Sequence, residues 1–288
     1  MKPASFEYRR VYDVDEAVGH LAELGDDAKI LAGGQSLVAM MNFRLARPAA
    51  LIDINRVPGL DYLRRDGAAL RIGALTTHRT LETTREPAVM DGFAVLGRAA
   101  RWIGHYPIRA RGTFGGSIAH ADPAAEWCLL AVLLNAEIVA SGPRGQRSIP
   151  AERFFESFLS TSLEPDEMIT EVVFSRAAPC AAVSEFSRRQ GDFAIVAAAA
   201  SLEMDATGSC CQAAIALAGV DAIPIRVPAA ETVLVGVSPG AEAFREAAEI
   251  AATEVSPAGD IHASTDFRRH LVRVLLQRAL CEAYGDVR

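Results

Sequence analysis

Residues 109–123 read RARGTFGGSIAHADP, a stretch with neither the 3.6-residue period of a helix nor the alternation of a strand. So long an irregular segment inside a compact domain is usually functional. Its centre, Thr113-Phe114-Gly115-Gly116-Ser117, sets two glycines among hydroxyl-bearing residues. Upstream, residues 29–43 read KILAGGQSLVAMMNF: a short apolar strand, then Ala32-Gly33-Gly34-Gln35-Ser36, then an apolar run starting at Leu37. Glycine has no Cβ, so backbone N–H groups can come close to a phosphate, and adjacent hydroxyls add donors. Two such loops could grip both phosphates of one dinucleotide, although either alone also fits a tight turn. Neither matches G-x-G-x-x-G or a Walker A sequence, so Rossmann and P-loop readings fail on the residues.

Outward from these loops the pattern is mixed. Asp13 with Glu16 three residues later forms a capping pair, and Ala17, Val18, Leu21 and Leu24 recur at helical spacing after a short strand at 6–8. Residues 49–55 read as a buried strand, and 60–65 with 69–75 flank Asp66-Gly67, a hairpin signal. Helices are expected at 77–84, 87–102 and 124–134, and strands at 137–140, 168–174, 182–188, 193–204 and 210–217. The nearly continuous apolar run at 193–204 suits a strand buried on both faces. Helical patterns close the chain at 241–254 and 264–284, and Pro and Ala interrupt the pattern at 175–179, where a boundary is expected.

Composition narrows the chemistry. The 288 residues are half apolar and carry a net charge of −7, which argues against broad attachment to nucleic acid or acidic membranes. No apolar run reaches transmembrane length, and the opening MKPASFEYRRVYD lacks the apolar core of a secretion signal. Five scattered cysteines without a C-x-x-C pair suggest neither a disulfide framework nor a metal cluster in this chain, and imply a cytoplasmic, reducing compartment. Adjacent Cys210 and Cys211 fit opposite faces of a strand. A serine hydrolase fails because Val38 and Ala119 stand where a nucleophile elbow needs its second glycine. His120-Ala121-Asp122 offers two ligand types and no third partner at a metal-site spacing.

Read together, AGGQSL at 32–37, TFGGSIAHADPAAEW at 113–127 and SRRQGDFA at 187–194 resemble the FAD-carrying medium subunits of aerobic carbon monoxide dehydrogenase, xanthine dehydrogenase and related molybdenum hydroxylases. The resemblance spans the chain, taking in NFRLARPAALIDINRVPGL at 42–60 and STDFRRHLVRVLLQRAL at 264–280. It implies an α+β architecture: an FAD-binding fold of the vanillyl-alcohol-oxidase (PCMH) type at 1–176, with α/β subdomains at about 1–56 and 57–176. A C-terminal domain of antiparallel sheet and helices, of the carbon monoxide dehydrogenase flavoprotein kind, follows at 177–288. By the same resemblance, Ala32, Gly33, Gly34, Gln35, Ser36 and Leu37 with Thr113, Gly115, Gly116 and Ser117 hold the FAD pyrophosphate. Glu126 falls near the ribose or adenine, and Ile169, Asp192 and Phe193 near the isoalloxazine. The chain departs from the pattern where relatives often carry Lys (here Glu185), many carry Asp (here Glu126) and some carry Tyr (here Phe193). Without the flanking motif, Phe193 also reads as a core aromatic and Asp192 as turn chemistry.

The resemblance further implies a relay subunit rather than a complete enzyme. A large molybdopterin subunit would oxidise the substrate, and a small subunit with two [2Fe–2S] clusters would carry electrons to the FAD held here. The expected assembly is a dimer of heterotrimers. AGGQSLVAMMNFR and EFSRRQGDFA stand closer to flavin subunits of N-heterocycle hydroxylases than to the carbon monoxide enzyme, with aldehydes and carbon monoxide as the other substrates in view. A self-sufficient FAD oxidase or dehydrogenase and a non-catalytic binding protein on the same scaffold are the competing readings.

Overall fold

Asp13, three residues beyond the first strand, starts the first helix. Its carboxylate accepts from the Glu16 N–H, and the Glu16 side chain reaches back to the Tyr12 N–H, which is the expected reciprocal cap shifted by one residue. This helix, α1 (Val14–Leu24), lies between β1 (Glu7–Arg10) and β2 (Ala28–Leu31); α2 (Leu37–Asn42) and β3 (Ala50–Asp53) complete the first subdomain. The strands form a parallel sheet in the order β1-β3-β2, and α1 buries Ala17, Val18 and Leu21 in one core with Ile52 of β3. The computed structural model describes residues 2–285; the outermost ends of the two expected domains, Met1 and 286–288, lie outside the described residues.

The second subdomain opens with the hairpin of β4 (Leu63–Asp66) and β5 (Ala69–Gly73), where Gly67 takes a φ of +59° in the two-residue turn. A helical run follows: α3 (His78–Thr83), α4 (Pro87–Ala99), α5 (Tyr106–Arg109), α6 (Phe114–His120) and α7 (Glu126–Leu133). Then come β6 (Glu137–Gly142), β7 (Gly145–Pro150), α8 (Ala151–Phe154), the small hairpin β8 (Phe155–Ser157) and β9 (Ser160–Thr161), and β10 (Met168–Phe174). The antiparallel sheet runs β4-β5-β10-β6-β7, with β10 buried throughout at its centre. Two expectations need correction. The helix expected at 87–102 breaks at Asp91-Gly92-Phe93, because Gly92 leaves helical geometry to accept the Ala178 N–H. The irregular segment expected at 109–123 contains a helix, α6. It is hidden because it has seven residues, two of them glycine, and is held by tertiary bonds rather than propensity.

The last unit is a four-stranded antiparallel sheet of β11 (Ala181–Phe186), β12 (Val196–Met204), β13 (Cys210–Ala218) and β14 (Ile225–Arg226), in that order. The helices α9 (Pro228–Thr232), α10 (Ala241–Glu254) and α11 (Thr265–Gly285) follow. The apolar run of β12 serves two cores. Ala197 and Ala199 face the core that contains α7, while Val196, Ala198, Ala200 and Leu202 face the core built with α10 and α11. Every residue of α7 is buried, as an apolar helix between two sheets must be. Cys210 is buried and Cys211 exposed, on opposite faces of β13. No helix among the described residues is long and apolar enough to cross a membrane.

Candidate functional site

The two glycine pairs meet in space. Gly33 leaves β2 so close to the second segment that a Cβ there would stand 2.0 Å from the Arg111 carbonyl oxygen. Gly34 follows with a φ of +71° and turns the chain into α2. Among the described residues, the backbone N–H groups of Gly33, Gly34, Gln35 and Ser36 reach no carbonyl acceptor. A run of such uncommitted N–H groups is an anion nest. The Gln35 side chain donates to the Gly33 carbonyl at 3.0 Å and braces the turn from within.

The second pair is built differently. Gly115 and Gly116 lie in the first turn of α6, capped by Thr113, whose Oγ1 accepts from the Gly116 N–H at 3.2 Å. The Phe114 and Gly115 N–H groups donate to the Thr76 and Ala74 carbonyls at 2.8 and 3.0 Å, and a Cβ on Gly115 would lie 2.6 Å from that of Ala74. Behind them the His78 N–H donates to the Gly112 carbonyl, and Trp127 Nε1 donates to His78 Nδ1 at 2.9 Å. Because the indole can only donate, the neutral His78 carries its proton on Nε2. Burial, and then the Arg109 charge, hold the His78 imidazole down to about 4.

All the residues singled out in the sequence border one cavity of about 600 Å³: residues 32–37, Thr113, Gly115, Gly116, Ser117, Glu126, Ile169, Asp192 and Phe193. The volume falls in the range of roughly 300–1,000 Å³ common for cofactor sites. Ile169 comes from β10, next to an irregularity in its pairing with β6. Asp192 and Phe193 come from the turn between β11 and β12. There Gly191, at a φ of +87°, packs so tightly on His105 that a Cβ would lie 2.7 Å from its ring. Phe193 is 62% exposed, so it is no core aromatic. The Asp192 N–H donates to the Arg189 carbonyl, so a turn role accompanies any other.

The wall also includes residues that the sequence did not single out as a site: His78, and part of the segment 159–168. Thr77 as an N-cap signals the start of α3, but the partner that fixes His78 lies 49 positions away and leaves no local pattern. Segment 159–167 has no period, and Leu159 turns at a φ of +55°. His120 and Asp122 border the cavity too, and among the described residues no group of His, Cys, Asp and Glu has metal-holding geometry.

At Glu126, Asp122 and His120 on the cavity wall, and at Glu185 nearby, burial works against charge. Glu126, at the start of α7, is 7% exposed; burial first, then Glu185 and Asp122, push its carboxyl up. Burial likewise raises Glu185 and Asp122 and lowers His120. All four shifts remove charge. An anion nest from one subdomain, a wall that Gly116 leaves open except toward Thr113, and a Glu126 carboxyl shifted toward its neutral form suit a dinucleotide carrying a pyrophosphate.

Comparison with known proteins agrees with this geometry. Residues 4–175 match the family described as the FAD binding domain in molybdopterin dehydrogenase, and residues 181–283 match the CO dehydrogenase flavoprotein C-terminal domain. The chain is 41% identical to the 6-hydroxypseudooxynicotine dehydrogenase complex subunit alpha of Paenarthrobacter nicotinovorans, covering 100% of this chain and 97% of the relative. It is 38% identical to the nicotine 6-hydroxylase medium subunit of the same organism, over 98% and 99% of the two chains. The solved carbon monoxide dehydrogenase of Hydrogenophaga pseudoflava superposes with a TM-score of 0.94 at 36% identity, covering 99% of each chain. With the fold, the paired glycine segments and these matches in agreement, the chain belongs to the FAD-binding medium-subunit family of the molybdenum hydroxylases, a family of oxidoreductase subunits.

Proposed function

We propose that this chain is the electron-relay subunit of a molybdenum hydroxylase, with its FAD in the cavity between the two glycine segments. The observation that carries the reading is the run of uncommitted N–H groups at residues 33–36 opening on a cavity shared by all three units of the fold. The bound flavin would accept electrons and release them to an external acceptor, while the protein supplies position and electrostatics. Residues 32–37 would hold the pyrophosphate through backbone N–H groups, and Thr113, Gly115, Gly116 and Ser117 would form the close-approach wall opposite. Glu126 would lie toward the ribose or adenine, and Ile169, Asp192 and Phe193 toward the isoalloxazine. In this division an FAD-binding domain occupies 1–176 and a C-terminal domain 177–288.

Electrons would arrive from a small subunit with two [2Fe–2S] clusters, fed by a large molybdopterin subunit, in a cytoplasmic dimer of heterotrimers. The relatives named for nicotine and for 6-hydroxypseudooxynicotine, at 38% and 41% identity, favour an N-heterocycle as substrate of the holoenzyme. No side chain here would act as acid or base on that substrate. The test has two arms. The native protein should co-purify with molybdenum, iron, one larger partner and one smaller one; a chain that runs alone and reduces an acceptor with an organic substrate overturns the relay reading. Gly34→Val and Gly116→Val, with the fold intact by circular dichroism, should each lose FAD. Unchanged flavin content in both removes these segments from the site.

A further inference from the structure

Glu185 is a buried acid with no ion pair among the described residues. It pairs with Ala197 on β12, and Ala197 pairs with Ala218 on β13. Directly opposed residues in a sheet share a face, and Ala197 and Ala218 belong to the core that contains α7. Glu185 therefore lies on the sheet face that packs on α7, in line with two small side chains, Ala197 and Ala218. There the Gly219 N–H, next to Ala218, donates to the Pro123 carbonyl at 3.1 Å, three positions before Glu126. Glu185 is 7% exposed, and its Oε2 has no hydrogen-bond partner among the described residues.

The cations on the neighbouring elements have other partners. Arg98 of α4 binds the Ala181 carbonyl and lies 3.7 Å from Glu282. Arg268 of α11 binds the Ile195 and Gly219 carbonyls and Asp260. Arg226 of β14 is paired with Glu231, and Arg176 with Glu203 of β12. Among the described residues, the other titratable groups on this side include His120 and Asp122, just before α7, and the buried Cys128 within it. Two carboxyls buried in one region cannot both ionise without cost. The upward displacement of both groups agrees with this.

We propose that Glu185 is a positioning residue of the FAD site: it shares one proton with Glu126 and keeps the carboxyl on the cavity wall uncharged toward the cofactor. This rests on the reading of the cavity as the FAD site. A protonated Glu126 can donate a hydrogen bond to the dinucleotide, whereas an ionised one would place a buried negative charge beside an anionic ligand. Cofactor binding then favours the protonated pair, and affinity falls as pH rises through its titration.

The experiment is titration of FAD into the full-length chain stripped of flavin, followed by flavin fluorescence between about pH 6 and about pH 9. In the unsubstituted chain Kd should rise with pH, with a slope approaching tenfold per unit where one proton is linked. Glu185→Gln removes the like charge that raises Glu126, so the rise should start at lower pH. Glu185→Lys supplies a counter-charge, and the profile should flatten. A merely structural residue would change Kd by one factor at every pH; three profiles of the same shape overturn the proposal. Should the variants fail to fold, the infrared spectrum of the unsubstituted chain decides. A protonated-carboxyl band present at neutral pH and lost on alkalinisation supports the pair, and its absence at neutral pH overturns it. If Gly34→Val and Gly116→Val leave FAD affinity unchanged, the cavity reading fails by itself. If they abolish binding while the Glu185 variants keep the parental profile, only the shared proton fails.

Discussion

The two glycine pairs look alike in the sequence and solve opposite problems in the fold. At Gly33-Gly34 the backbone N–H groups stay uncommitted, and the absence of a Cβ lets one subdomain lie on the backbone of the next. At Gly115-Gly116 the N–H groups are already bonded, to Ala74 and to the Thr113 hydroxyl, and the absence of a Cβ seats a short helix on β5. A phosphate grip shared evenly between the pairs does not follow from their similarity. The first pair can supply donors, whereas the second supplies proximity. Glycine pairs thus mark close approach, and the hydrogen-bond pattern decides what approaches.

The strongest way to break this comparison is Gly33→Val. A side chain 2.0 Å from a backbone oxygen cannot be relieved by a rotamer, so the first loop must lift from residues 111–112. The expected cost is about 3 kcal/mol or more, read as a lowered thermal midpoint together with loss of FAD. By contrast, a Cβ on Gly116 meets only the Thr113 side chain within 4 Å, and Gly116→Ala should cost about 1 kcal/mol. Equal effects at the two positions would erase the distinction between a braced and a capped pair.

The sequence made the walls of the cavity legible but not their mechanics. The capping pair at Asp13, the hairpin at Asp66-Gly67 and the terminal helices were readable because their signals are local and periodic. Helix α6 was not, since Phe114–His120 carries two residues of poor helix propensity and relies on bonds to Thr76 and Ala74 far upstream. The kink at Gly92 depends on the Ala178 N–H, equally distant in sequence. The motifs named the residues around the cavity through resemblance. What they could not name was the distant side chain that acts on each: Trp127 through a hydrogen bond to His78, and Glu185 through its charge on Glu126.

His78 tests the second pair from behind. Its ordinary value of 6.5 is depressed to about 4 in the folded chain, so the native state prefers the neutral ring. The stability this neutrality confers is full above about pH 6.5 and is lost as pH falls toward about 4, by up to about 3 kcal/mol at roughly 1.4 kcal/mol per unit. Asn at this position places its Oδ1 where His78 has Nδ1, so it can still accept from Trp127 Nε1 yet cannot protonate. Urea denaturation of His78→Asn should therefore show a weaker loss of stability across that window than the parent. Parallel curves would mean that His78 does not anchor the Gly112–Thr113 backbone in its neutral form. A smaller effect is expected at the cap itself: Thr113→Val leaves the Gly116 N–H without its acceptor and should cost about 1 kcal/mol. FAD affinity in that variant should fall less than in Gly34→Val, because the nest at residues 33–36 is untouched.

Phe193 sharpens the contrast from the other end of the cavity. Both glycine pairs shape fold and site together, so their variants mix stability with binding. Phe193 is 62% exposed and lies outside the buried clusters, on a turn set by Gly191 and His105. Phe193→Ala should change folding stability by less than about 0.5 kcal/mol. A ring stacked near a flavin nevertheless alters the environment of its π-system. The expected outcome is full FAD retention with a shifted absorption band or reduction potential. A variant that loses FAD outright would make Phe193 part of the grip, in the same class as Gly34. One with an unchanged flavin would turn its exposed face toward a partner subunit instead, and leave Ile169 and Asp192 as the residues facing the ring.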